Sequence, residues 1–212
     1  MASDLKNSVQ VVGEAWKESD YYVDAERWTF VFWDQNHAFR RRFDRLDLGH
    51  VVELACGQGR HSAMVAPMAS RLTLMDIHQE NLDVCRQRLA DFENMQVLCT
   101  NGYDYMPVES GSVTSVFCYD AMVHFSPDLV DSYLRDTFRI LVPGGLGLFH
   151  HSNYDADPSK HYGLNPHARN RMTMGDFTRL AADAGLEVVD STVLDWGDVR
   201  ELDGLTLVRR PS

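Results

Sequence analysis

Val51-Val52-Glu53-Leu54-Ala55-Cys56-Gly57-Gln58-Gly59-Arg60 decides how this chain folds. An apolar run carrying one carboxylate, Glu53, breaks into a Gly-x-Gly turn. Seventeen residues past Gly59 a second acid, Asp76, closes another apolar run, Leu72-Thr73-Leu74-Met75. The pattern reads as a buried strand, a turn whose missing β-carbons let a ligand press on the backbone, a helix, and a second strand. That second strand ends in an acid placed to accept ribose hydroxyls. Ser62 stands where the third glycine of a dinucleotide fingerprint would fall. Glu53, just before the turn, repels a pyrophosphate and attracts a cation. A nucleoside bearing positive charge suits this turn better than a dinucleotide.

From residue 51 onward, strand-like runs alternate with helical stripes, the pattern of a parallel sheet covered on both faces. Strands are predicted at 50–55, 71–76, 95–99, 113–119, 146–151, 187–194 and 204–209, and helices at 59–68, 79–92, 128–140 and 173–184. Leu129, Tyr133, Leu134, Phe138 and Leu141 recur at helical spacing, and Asp183-Ala184-Gly185 reads as a helix stop. Residues 1–46 form a mostly helical, aromatic-rich cap ahead of a single domain over 47–212. In that cap Tyr21, Tyr22, Trp28 and Trp33 either pack on the sheet or touch a ligand. Residues 152–172, with Pro158, Gly163 and Pro166, lack a period and leave the sheet at the edge where such folds bind ligands. They read as a substrate-covering loop.

The 212 residues carry 31 acids against 20 bases, a net charge of −11, which argues against a nucleic-acid partner. Arg40-Arg41-Arg42 reads as a solvated helix face. Cys56, Cys85, Cys99 and Cys118 show no CxxC spacing, so zinc and disulfides give way to reduced thiols. No long apolar run or leader pattern is visible, and a cytoplasmic protein without membrane contact is expected, with a homodimer as an open state.

Residues 51–60 resemble the first motif of class I S-adenosylmethionine-dependent methyltransferases, and the resemblance extends over about 45–208. Asn101-Gly102-Tyr103 falls where that family contacts adenine, Asp120 to Phe125 follows the fourth strand, and Leu141-Val142-Pro143-Gly144-Gly145 resembles the turn into the fifth. The resemblance implies a Rossmann-like α/β fold, a seven-stranded sheet with helices on both faces and an N-terminal helical cap. It implies S-adenosylmethionine as cofactor, held by Glu53, Ala55, Gly57, Gly59, Asp76, Ile77, Asn101, Gly102, Tyr103 and Tyr119.

The chemistry-bearing residues cluster at the ends of the later strands. Asp120 and His124 follow strand four, His150 and His151 lie in strand five, and Asp195, Asp198, Glu201 and Asp203 surround strand six. A hydroxyl acceptor needs a base or a metal ion. Asp120 and His151 are the first choices to take or orient its proton, with His150 and His124 next. Adjacent histidines on a strand point to opposite faces, so only one can face a cleft. Asp120 has a second reading as a helix cap. Where catechol O-methyltransferase relatives hold magnesium with an acid-Asn pair, this chain has His151-Ser152. A magnesium site at Asp120 and His151 therefore stays open. The runs 119–125, 149–153, 165–170 and 195–197 resemble small bacterial sugar O-methyltransferases, including those acting on mannosides in mycobacteria. The expected activity is thus O-methylation of a saccharide hydroxyl. The alternatives are methylation of a phenolic or polyketide small molecule, or a non-catalytic S-adenosylmethionine-binding partner subunit.

Overall fold

The computed structural model describes residues 2–155, 157 and 160–212, so Pro158 of the predicted loop lies outside the described residues. The chain opens with α1 (Ala2–Trp16), the short helices α2 (Tyr21–Asp24) and α3 (Thr29–Phe32), and α4 (Ala38–Phe43). One sheet follows, of β1 (Val51–Leu54), β2 (Leu72–Asp76), β3 (Met95–Cys99), β4 (Val113–Cys118), β5 (Leu141–Ser152), β6 (Glu187–Trp196) and β7 (Val199–Arg209). The strand order is β3-β2-β1-β4-β5-β7-β6. β7 runs antiparallel to β5 and β6, and the other neighbours pair in parallel.

Every residue of β1 and β2 is buried, which is why those runs show no polar alternation. Along β4 and β5 successive side chains enter different cores. Val116 and Phe149 join Tyr133, Leu134 and Phe177 on one face, while Phe117 and Leu148 join Phe39, Phe43 and Leu74 on the other. The first face is covered by α7 (Pro127–Ile140) and α8 (Met174–Asp183). Ser126 caps α7 by accepting the Leu129 N–H, and Thr173 and Asp176 form a reciprocal capping box on α8. The second face is covered by α4, by the single-turn α5 (Ser62–Val65) and by α6 (Gln79–Arg88).

Two predicted boundaries move for clear reasons. Gly57 and Gly59, with φ of +53° and +78°, keep the chain in a turn, and Pro67 bars the helix beyond Ala66. The predicted helix 59–68 is therefore only α5. β5 begins five residues earlier than predicted, because Leu141 already pairs with Val113 before a register shift across the Gly144-Gly145 bulge. The strand order reverses between β1 and β4, which opens a crevice at their carboxyl ends.

Candidate active site

That crevice is a cavity roofed by Val9, Gly13 and Trp16 of α1 and by Tyr21 and Tyr22 of α2. Its walls fall into two groups: Gly57, Asp76, Ile77 and Gly102, and then Arg60, Tyr119, Asp120 and His124.

In the first group, Asp76 accepts the N–H of Gly57 at 3.0 Å and of His78 at 2.9 Å. Burial raises its pKa, and these bonds oppose the rise. A β-carbon on Gly57 would stand 2.8 Å from the Tyr22 ring, so the turn is already covered by an aromatic face. Tyr22's hydroxyl is pushed up to about 12, by burial first and the Asp76 charge second. α1 closes the far side: Gly13 offers its carbonyl to His78 Nε2 at 3.1 Å, and Val9 packs on Gly102.

Not every residue expected here reaches the cavity. Ala55, Ile77, Gly102 and Tyr119 line it, whereas Gly59, Asn101 and Tyr103 do not. Gly59 makes room for Cys85 Sγ, which would lie 3.0 Å from a β-carbon there. Asn101 instead folds its own turn, accepting the Tyr103 and Asp104 N–H groups. Glu53 lines the cavity but accepts a 2.5 Å bond from Ser62, and burial pushes it up to about 8. Burial thus favours its protonated form, and a cation beside it would favour the carboxylate.

In the second group, Asp120 adopts φ +59°, a left-handed conformation that aspartate tolerates better than most residues. Its carboxylate accepts Arg60 Nη2 at 2.6 Å and the Tyr21 hydroxyl. It caps no helix: the 3-10 turn at Met122–His124 has no side-chain cap. Arg60 was not assigned a role from sequence, although its place directly after Gly59 was the available signal.

The three candidate histidines separate by what holds their rings. His151 is fully buried, stacks on Phe177 at 3.8 Å, and lies between Ser152 O and Thr206 Oγ1 at 2.9 Å each. It points away from the cavity into the α7–α8 face, so the reading of His151 as base is corrected. His150 faces the other way as alternation requires, yet it too stays beneath the cavity floor. Its Nδ1 accepts the Asp120 N–H at 3.0 Å and its Nε2 meets Asp203 Oδ2 at 3.0 Å. His124 does line the cavity. A carbonyl can only accept, so the 2.9 Å contact with Ala168 O puts the proton on Nδ1 and leaves Nε2 with its lone pair. Burial lowers His124 to about 4, with the Ala168 bond opposing, and the ring is neutral at pH 7.

Tyr119 and His61 also line the cavity, and the buried Tyr119 Oη and His61 Nε2 atoms lack a hydrogen-bond partner. Trp33 Nε1 donates to His61 Nδ1 at 3.0 Å, so His61 Nε2 carries its proton. Both groups are donors. A magnesium ion does not fit this donor set. Asp120 is already neutralised by a guanidinium, His151 is on the opposite face, and no three His, Cys, Asp or Glu side chains converge among the described residues.

The sequence profile described as "Methyltransferase domain" matches residues 51–145. Those residues are similar to that domain. A protein of Mycolicibacterium smegmatis named "Probable S-adenosylmethionine-dependent methyltransferase" is 25% identical over 176 residues. The match covers 81% of this chain and 66% of that relative, so the chain spans just under two thirds of its length. An S-adenosylmethionine-dependent methyltransferase of Mesorhizobium loti superposes with a TM-score of 0.68 at 17% identity, covering 81% of this chain and 97% of that one. A geranyl diphosphate C-methyltransferase of Streptomyces coelicolor A3(2) gives 0.67 at 17%, covering 80% and 74%. The seven-stranded Rossmann-like fold with its N-terminal helices is thus that of methyltransferases.

The S-adenosylmethionine implied by this domain fits the first group of residues. Asp76 offers a carboxylate for ribose hydroxyls, and the open faces of Gly57 and Gly102 leave a cradle that Tyr22 and Val9 fill in the ligand-free chain. The loop after β5 braces the candidate site without lining it among the described residues. Ala168 orients His124, Asn170 bonds the His124 carbonyl at 3.1 Å, and Arg169 is buried in a two-point bond with Asp203 at 2.7 and 2.6 Å. Asp195, Asp198 and Glu201 also stay off the cavity wall. Trp28 is exposed, while Trp33 is core.

Proposed function

We propose that the chain is an O-methyltransferase acting on the hydroxyl of a small organic molecule with a largely apolar or aromatic body. His124 is the general base. The observation carrying this reading is the Ala168 bond, which leaves Nε2 unprotonated on a ring in the cavity wall. S-adenosylmethionine, when bound, supplies a methyl group activated on a sulfonium. Asp76 would hold its ribose hydroxyls, and Glu53 would ionise beside its positive charge.

The residues of the second group then act on the acceptor. Trp16 and Phe125 cover its apolar body, beside the rings of Tyr119 and His61. The acceptor oxygen would gain a bond to the methyl carbon as the sulfur–methyl bond breaks and its electron pair stays on sulfur as a neutral thioether, while the hydroxyl proton passes to His124 Nε2 and then to water. A hydroxyl acidifies steeply as that bond forms, so a base of low pKa is adequate. A saccharide ranks second. Its support is the resemblance of the runs 119–125, 149–153, 165–170 and 195–197 to sugar O-methyltransferases, and of these only 119–125 lines the cavity.

The test is turnover with labelled S-adenosylmethionine over a panel of phenols, hydroxylated polyketides, mono- and oligosaccharides. Label in an aromatic or apolar alcohol supports the reading. Label in saccharides alone restores the second, and S-adenosylmethionine binding without any transfer favours a non-catalytic subunit.

A further inference from the structure

Asp120 stands at the centre of the acceptor group, and its backbone is held from below by residues that touch no part of the cavity. The Asp120 N–H donates to His150 Nδ1 at 3.0 Å. An amide can only donate, so Nδ1 is unprotonated and the ring proton sits on Nε2, which points at Asp203 Oδ2 at 3.0 Å. Asp203 in turn receives Arg169 Nε and Nη2, and the guanidinium lies 4.8 Å from the centre of the Trp196 ring. His150, Asp203 and Arg169 are all at most 2% exposed, so water does not compete for these bonds. The His150 ring is clamped between Tyr119 at 4.4 Å and Trp196 at 5.2 Å.

We infer that His150 is a positioning residue: Arg169 and Asp203 fix its Nε2–H tautomer so that Nδ1 holds Asp120 in its left-handed conformation, carboxylate toward Arg60 and Tyr21. A non-glycine residue at φ +59° persists only when its surroundings fix it, and this bond to a tautomer-locked ring is such a constraint. The inference rests on the proposed acceptor site for its catalytic meaning, but the pin itself is independent of any acceptor. It also gives the loop after β5 a second function, since Arg169 reaches from that loop to set a proton two residues away in the chain of bonds.

The direct test needs no acceptor and no substitution. In the 15N-labelled protein, His150 should carry its ring proton on Nε2 alone, and a through-hydrogen-bond nitrogen–nitrogen coupling should join its Nδ1 to the Asp120 amide. A proton on Nδ1, or no coupling with the ring assigned, overturns the inference. Two variants extend the test to function. His150→Asn keeps an acceptor close to the Nδ1 position, whereas His150→Gln keeps a donor toward Asp203 and loses that acceptor. With any acceptor found by the panel, Gln should lower kcat about 30-fold with KM for S-adenosylmethionine within about threefold, and Asn should recover at least a third of that loss. Equal losses in both variants that track their Tm values would show a structural role only and overturn it. If no acceptor is turned over, the proposed function fails while the coupling still decides the pin.

Discussion

His124 Nδ1 lies 2.9 Å from the carbonyl oxygen of Ala168, 44 residues further along the chain. This contact places the ring proton on Nδ1 and leaves Nε2 unprotonated. It joins the turn after β4 to the irregular segment after β5, and Asn170 adds a second tie through the His124 carbonyl. The loop thus orients the ring of the proposed base.

The tie has a kinetic consequence. Asn170→Ala removes its 3.1 Å bond to the His124 carbonyl and should lower kcat severalfold, leaving affinity for S-adenosylmethionine unchanged. Steady-state kinetics with each substrate varied in turn checks this. A change confined to KM for S-adenosylmethionine would contradict it.

Asp76→Ala should weaken binding of S-adenosylmethionine or its demethylated product by about 1–3 kcal/mol, because the ribose hydroxyls lose their acceptor. Gly57→Ala should do similar harm for another reason. Its β-carbon would meet Tyr22 at 2.8 Å on a backbone at φ +53°. Calorimetry on both variants, with circular dichroism to confirm the fold, measures these effects.

Much of this first group was legible in the sequence, because glycines at a strand-to-helix turn and an acid at the next strand end are demanded by backbone geometry. The histidines were less legible. Period-two alternation said that His150 and His151 point to opposite faces, and they do. It could not say that Phe177 covers one face and that Asp120 stands over the other, since both contacts come from distant segments. Arg169 lies in the run 165–170, whose resemblance to sugar O-methyltransferases gives it no role of its own, yet it holds the buried charge of Asp203. Long-range pairing of that kind leaves no local signal.

Glu53 should leave a mark on stability. Its folded pKa of about 8 lies above its ordinary 4.5, so the folded chain binds the extra proton and stability falls as pH rises between those values. His124, at about 4 in the fold against 6.5 ordinarily, works the other way and ceases to contribute slope above 6.5. Between about pH 6.5 and 8 the ligand-free parent should therefore lose stability faster than Glu53→Gln. Urea midpoints at several pH values test this, and equal slopes would contradict it.

Chelator should leave turnover unchanged, because Arg60 already neutralises the carboxylate that a divalent ion would need. Assays with chelator and with added magnesium check the point. Loss of activity restored by magnesium would contradict the assignment of Asp120 to Arg60 and Tyr21.

The most direct measurement is kcat and kcat/KM for the parent and His124→Ala across pH, using an acceptor identified from the panel. The parent should stay active well below pH 6 and lose kcat/KM near its folded pKa of about 4. His124→Ala should lose roughly 10²–10⁴-fold in turnover with S-adenosylmethionine affinity intact. Near-normal turnover in His124→Ala, with His151→Asn inactive at an unchanged Tm, would contradict the assignment of the base.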